Sequence, residues 1–136
     1  MSVNTIGVAV TAQRPSESVE KIQRLERLGV TAAWLTSGGG GGDAIALLAA
    51  AAAETESILL GSSIVQTWSR HPVALVQQVQ VIADLAPGRF RLGIGTGHRE
   101  PMTRTYGADF RAPLGHLKEY LHVASTLCPA CGVTAI

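Results

Sequence analysis

The chain is poor in charge, poor in cysteine and without a long apolar run. Charged residues make up 15% of its 136 residues and the net charge is +1, so there is no basic footprint for a phosphate backbone, and nucleic acid is not expected as a partner. The longest apolar run, Ala44 to Ala53, is about half of the roughly 20 residues a bilayer span requires, and its alanines suit a packed helix. No membrane association is expected. The amino terminus shows no basic stretch followed by an apolar core, so no secretory signal is expected and the cytoplasm is the default compartment. Both cysteines lie at the end, in Cys128-Pro129-Ala130-Cys131. Zinc would need two further ligands in a matching knuckle, and no other cysteine exists; a redox dithiol is expected at the start of a helix, whereas this pair follows one. The expectation is a frayed, non-functional tail over residues 128–136. No Ser-His-acid order, metal cluster or carboxylate pair stands out, which suits chemistry carried by a bound cofactor.

What is present is a strict alternation. Thr5 to Val10 reads as a strand, and Pro15 opens a helix with Val19, Ile22, Leu25 and Leu28 on one face, closed by Gly29. Thr31 to Thr36 is a second strand, and Asp43 is an N-cap for a helix through Glu54. Ile58 to Val65 is a third strand, apolar and β-branched as a strand buried on both faces should be. Pro72 then opens a helix with Leu75, Val79, Ile82 and Ala86 at helical spacing, and Pro87-Gly88 stops it. Arg89 to Gly95 is a fourth strand, followed by a long loop to Ala112 and a helix from Pro113 with Leu114, Leu117, Leu121 and Ala124 as its stripe.

Four β-α units with short turns mean a parallel sheet, either doubly wound or a barrel. The first strand is followed by Thr11-Ala12-Gln13-Arg14, with no glycine-rich turn for a phosphate. The expected fold is therefore α/β, a barrel rather than a doubly wound sheet, of which four β-α units make half. Gly38 to Gly42 lack the lysine and hydroxyl of a P-loop and read as a mobile βα loop.

In such a fold the loops after the strands build the site. The richest are 65–72, with Gln66, Thr67, Trp68, Ser69, Arg70 and His71, and 95–112, with Thr96, His98, Arg99 and Glu100. Gly93-Ile94-Gly95-Thr96-Gly97 lacks the third glycine of a dinucleotide fingerprint, and no helix is expected directly after it. Glycines at a strand end instead permit close approach of a flat ligand, which suits a flavin ring. His98 could donate to a cofactor ring or shuttle a proton, or else be a loop histidine bonded to backbone. His71 reads as a helix-start residue, and His116 and His122 as pointing away from the mouth with no role.

Leu60-Gly61-Ser62-Ser63-Ile64-Val65, Arg70-His71-Pro72 and Ala86-Pro87-Gly88-Arg89-Phe90-Arg91-Leu92-Gly93-Ile94-Gly95, in that order, resemble the bacterial luciferase-like oxidoreductases. Asp43-Ala44, Tyr106-Gly107 and Pro113-Leu114 extend the likeness over residues 5 to about 127, and it is greatest to the branch that uses the deazaflavin F-420. The resemblance implies the N-terminal half of a (β/α)₈ TIM barrel, with residues 1–127 as a partial domain and 128–136 as a divergent tail, and a barrel that binds F-420, or FMN in sister branches. The ring would lie across the strand carboxyl ends, with a bulge or a non-proline cis peptide at Ser63-Ile64-Val65 behind it. Ser63, Ile64, Val65, Thr67, Gly95, Thr96, Gly97 and His98 are the cofactor-binding candidates it implies, with His98 as the catalytic candidate and no metal. The reaction class is hydride transfer or monooxygenation of a small organic substrate.

In the family the cofactor phosphate is gripped largely by loops after later strands, whereas this sequence stops after its fourth helix. Open strand edges make a homodimer the expected assembly. Three functions follow: a truncated F-420- or FMN-dependent oxidoreductase, an inactive gene fragment, or a non-catalytic assembly module.

Overall fold

The computed structural model describes residues 6–11, 13–37 and 42–135. Most of the glycine run Gly38 to Gly42, read above as a mobile loop, lies outside them.

Strand β1 (Gly7–Val10) leads into α1 (Pro15–Arg27), β2 (Ala32–Leu35) and α2 (Ala44–Ala53). Next come β3 (Leu59–Ser62), the short β4 (Val65–Gln66), α3 (Pro72–Leu85) and β5 (Phe90–Gly95). Helices α4 (Arg99–Tyr106) and α5 (Pro113–Leu127) and a last strand β6 (Val133–Ala135) complete the chain. Every strand pairing is parallel: β1 with β2, β2 with β3, β3 and β4 with β5, and β5 with β6. Each new strand adds at the same edge, without the reversal of order that defines a doubly wound sheet, so the sheet is barrel-like.

Successive side chains of a strand alternate between faces, and here only one face is covered. Val10, Ala33, Leu35, Leu60, Val65, Leu92 and Ile94 join Ile22, Ile45, Leu48, Val79, Ile82, Tyr120 and Ala124 of the helices in one core. The opposite face carries the row Ala9, Trp34, Gly61 and Arg91 in register. The Trp34 indole lies across Gly7 and Gly61, where an added Cβ at either position would collide with it. That ring lies on the face of the sheet that the helices leave uncovered.

The helix boundaries have local causes. Asp43 caps α2 by accepting from the Ala46 amide at 2.9 Å, and His71 Nδ1 accepts from the Val73 amide at 3.2 Å at the start of α3. The expected stripe of α3 is borne out, with Leu75, Val79, Ile82 and Ala86 all fully buried. Arg89 lies just before β5, and its guanidinium donates to the carbonyls of Ala52, Thr55 and Ile58, tying the end of α2 to the start of β3. Glu26 works similarly from α1: one carboxylate oxygen accepts from the amides of Glu56, Ser57 and Ile58 at 2.6–2.9 Å.

Four expectations need correction. The stretch 96–112 is not all loop: α4 opens at Arg99, directly after Gly97-His98. It escapes detection because it has no apolar stripe; Met102 is its one buried residue. Leu114 on α5 is exposed; the rest of the expected stripe holds, with Ala124 buried and Leu117 and Leu121 half-buried against the core, and Tyr120 joins it. The third strand is not continuous. Leu60 and Gly61 pair with Phe90 and Arg91, whereas Val65 and Gln66 pair with Ile94 and Gly95, so Ser62, Ser63 and Ile64 face only Leu92 and Gly93. This is a bulge of one residue. Residues 128–135 do not fray: Cys128 and Cys131 are disulfide-bonded, and β6 pairs with Leu92 to Ile94.

Candidate functional site

The bulge places backbone where a regular strand would place side chains. Ser62 is fully buried, and its hydroxyl accepts from the Gly93 amide at 3.0 Å and donates to the Gly93 carbonyl at 2.9 Å. The side chain thus stands in for two ladder bonds that the extra residue disrupts. The next peptide, Ser63–Ile64, is cis. Its neighbourhood is held from the β2 side: the Thr36 hydroxyl donates to the Ser63 carbonyl at 2.8 Å, the Ser37 amide to the Ile64 carbonyl at 3.1 Å, and the Ser63 amide to the Leu35 carbonyl at 2.8 Å.

Beside this segment runs the glycine-rich end of β5. Gly95 is buried and pairs with Gln66, whose amide donates to the Ser37 carbonyl at 2.6 Å. Gly97 has φ +68°, and a Cβ there would crowd Gln66 and Met102. A left-handed turn this close to its neighbours requires glycine. Thr96 is half-buried, and His98 is exposed at the N-cap position of α4 without a side-chain cap bond. A shallow cavity of about 350 Å³ opens over Gly7, Ala9, Trp34, Thr36 and Ser63.

The structure therefore brings Ser63, Ile64 and Val65 next to Gly95, Thr96 and Gly97 at adjacent strand ends. They differ in what they present. Val65 is fully buried in the helix-side core, so only its backbone can meet a ligand. Thr67 is 2% exposed and its hydroxyl has no partner. His98 is the exposed titratable group of the set.

Sequence reasoning missed the support behind this wall. The turn Thr67–Ser69 carries Trp68, whose ring is stacked on His116 with centroids 3.6 Å apart and planes 7° from parallel. Phe110 flanks Trp68 at 5.5 Å, and the Tyr120 hydroxyl donates to the Arg70 carbonyl at 3.1 Å. Arg70 pairs with Asp43 and donates to Gln78 at 2.8 Å. Burial pushes the Asp43 carboxyl up, but the Arg70 guanidinium and the Ala46 amide outweigh it and hold the group below its ordinary range. His116 therefore does have a place at the mouth, contrary to expectation. Its spacing with Tyr120 and Ala124 on α5 is the signal that could have shown it. Burial depresses its imidazole pKa, an effect opposed by the Thr67 backbone and Glu119.

Comparison with known proteins decides the family. The profile of the luciferase-like monooxygenases matches residues 1–130. The chain belongs to this family. A Mycobacterium tuberculosis protein described as a coenzyme F-420-dependent oxidoreductase is 30% identical over 69 residues, covering 51% of this luciferase-like chain and 20% of the relative. The coenzyme F-420-dependent tetrahydromethanopterin reductase of Methanopyrus kandleri superposes with a TM-score of 0.73 at 21% identity, over 89% of this chain and 38% of the reductase. The oxygenating constituent of a Pseudomonas putida 3,6-diketocamphane monooxygenase, in complex with FMN, gives 0.74 at 18% identity over 82% and 33%. The chain thus spans a fifth to two fifths of the length of these proteins. Its fold is the N-terminal half of a (β/α)₈ barrel, as the sequence implied. Among the described residues no helix is long and apolar enough to cross a membrane.

Proposed function

We propose that the wall formed by Ser63–Val65 and Gly95–His98 borders the ring of a reduced F-420, with FMN as the alternative, in an oxidoreductase acting on a small organic substrate in the cytoplasm. The observation that carries this reading is the bulge beside a glycine-lined strand end, which offers a flat ligand a surface made mostly of backbone. The residues fit the group. Gly95 and Gly97 put no side chain in the way, Thr96 offers a hydroxyl, and exposed His98 has an imidazole committed to no cap bond. Bound there, the cofactor would supply hydride transfer, or oxygen activation in the case of FMN.

The chain's own contribution is positioning and proton handling. The bonds from Thr36, Ser37 and Leu35 fix the Ser63–Ile64 backbone, and the Trp68–His116 stack fixes the turn beyond it. His98 holds or moves a proton at its imidazole nitrogens, next to where substrate and ring would meet. The chain is read as a homodimer, because β1 and β6 each have one edge without a strand partner among the described residues.

Fluorescence titration of F-420 and of FMN with the full chain tests the proposal. Saturable quenching at micromolar protein is expected, weakened several-fold by His98→Ala, a change at an exposed position that leaves the fold intact. A folded chain that quenches neither cofactor overturns the reading and favours an inactive fragment, and folding only with a partner points to an assembly module.

A further inference from the structure

We propose that Cys128 and Cys131 form a redox-active couple whose oxidised form holds β6 on β5, the strand that carries the glycine-rich end Gly93 to Gly97. The two half-cystines stand at either side of a single 3₁₀ turn, Pro129–Cys131, which joins the end of α5 to β6. Both are buried, Cys128 at 8% and Cys131 at 2% exposure, and both belong to the main core, while Pro129 and Ala130 between them face solvent. The turn has one backbone hydrogen bond of its own, from the Cys131 amide to the Cys128 carbonyl at 3.1 Å. Gly132 follows in the left-handed region at φ +56°, turning the chain onto the sheet beside Arg91.

β6 itself is weakly founded. It has three residues and pairs only with Leu92, Gly93 and Ile94. A strand so short depends on its connection being closed in the right direction, and the disulfide is the covalent part of that connection. Reduction replaces one covalent contact by two non-bonded thiols that need more room inside a packed core, so it acts directly on the seat of β6. The alternatives for this motif fail. Among the described residues no group of three or more His, Cys, Asp or Glu could hold a metal. Both cysteines are buried, so the pair presents no exposed nucleophile for exchange catalysis on other proteins.

The electron balance is that of thiol-disulfide exchange. Each cysteine thiol gives up one proton and one electron, and a disulfide oxidant of the glutathione class takes up both pairs to leave as two thiols; the reverse needs a dithiol or phosphine reductant.

The test uses the full chain, oxidised with glutathione disulfide or reduced with a phosphine. Intact mass should differ by two hydrogens, and amide hydrogen exchange of the segment containing Val133 to Ala135 should be about tenfold faster in the reduced chain. The Cys128→Ser/Cys131→Ser variant should exchange like the reduced protein with or without reductant. If that variant does not fold, reduction of the natural chain alone decides. Equal protection of β6 in both redox states, or a pair that stays a dithiol in glutathione disulfide, overturns the proposal.

Discussion

Ser62 shows how one hydroxyl can shape a site that it does not touch. It completes the bonding of Gly93 across the bulge, buried on all sides. Without it both Gly93 groups lose their partner in a region closed to water, and each unsatisfied group costs about 1–3 kcal/mol. Ser62→Ala should therefore destabilise the chain by roughly 2–3 kcal/mol in urea unfolding, with the slope of the transition unchanged. A loss under about 0.5 kcal/mol would show that the ladder closes without the hydroxyl. Little of this is legible in the sequence. Ile58 to Val65 reads as one uninterrupted apolar strand, and a serine inside it gives no sign that its side chain stands in for main-chain bonds. The glycines of β5 are different: Gly95 and Gly97 mark a close approach from the sequence alone, because residues without a Cβ at a strand end have few other uses.

At the scale of elements, α5 is the brace of the mouth. Its face His116–Tyr120–Ala124 meets the turn Thr67–Ser69 and the core, and the stack on Trp68 combines with the Tyr120 hydroxyl bond to Arg70. The sequence places the helix correctly, and Leu117, Leu121 and Ala124 of its expected stripe do pack on the core; hydropathy fails only at the first turn, where it favours exposed Leu114 over His116, and it passes over Tyr120, which ring stacking and a hydroxyl bond bring in. α4 is missed for the opposite reason, having almost nothing to bury. The brace has a pH signature. The folded pKa of His116 lies below its unfolded value, so its contribution is fully present above the ordinary imidazole pKa of about 6.5 and is lost as pH falls through the lowered folded value. His116→Phe keeps a ring on Trp68 and removes the titration. The natural chain should lose more thermal stability between pH 7.5 and pH 5 than His116→Phe does. His116→Ala, which removes the stack, should cost about 1–2 kcal/mol even at pH 7.5. Equal pH profiles for the natural chain and the phenylalanine variant would rule out His116 as the titrating group.

At the scale of the whole molecule, the sheet is one-sided. Helices cover its outer face, while the inner face carries Trp34 over two glycines, exposed Ala9 and the shallow cavity beside Ser63. The order of β-α units makes this half-barrel legible from the sequence; its last strand is not, because Val133 to Ala135 is too short to separate from a tail. A parallel sheet is ordinarily covered on both faces and has its edges paired or shielded. Here β1 and β6 each leave an edge without a strand partner among the described residues, and Ile6, next to β1, is 74% exposed. Pairing between two copies would cover both edges and bring the two inner faces together. Sedimentation at micromolar concentration should then give a mass near twice 14.2 kDa. Ile6→Lys, which sets a charge beside the β1 edge, should weaken association at least tenfold while leaving the circular dichroism of the monomer unchanged. A natural chain that sediments as a folded monomer across that range would mean that helix packing on the outer face alone is enough to hold an open half-barrel. The wall at Ser63 and Gly95 would then stand open to solvent, and ring binding would have to draw its affinity from that single surface.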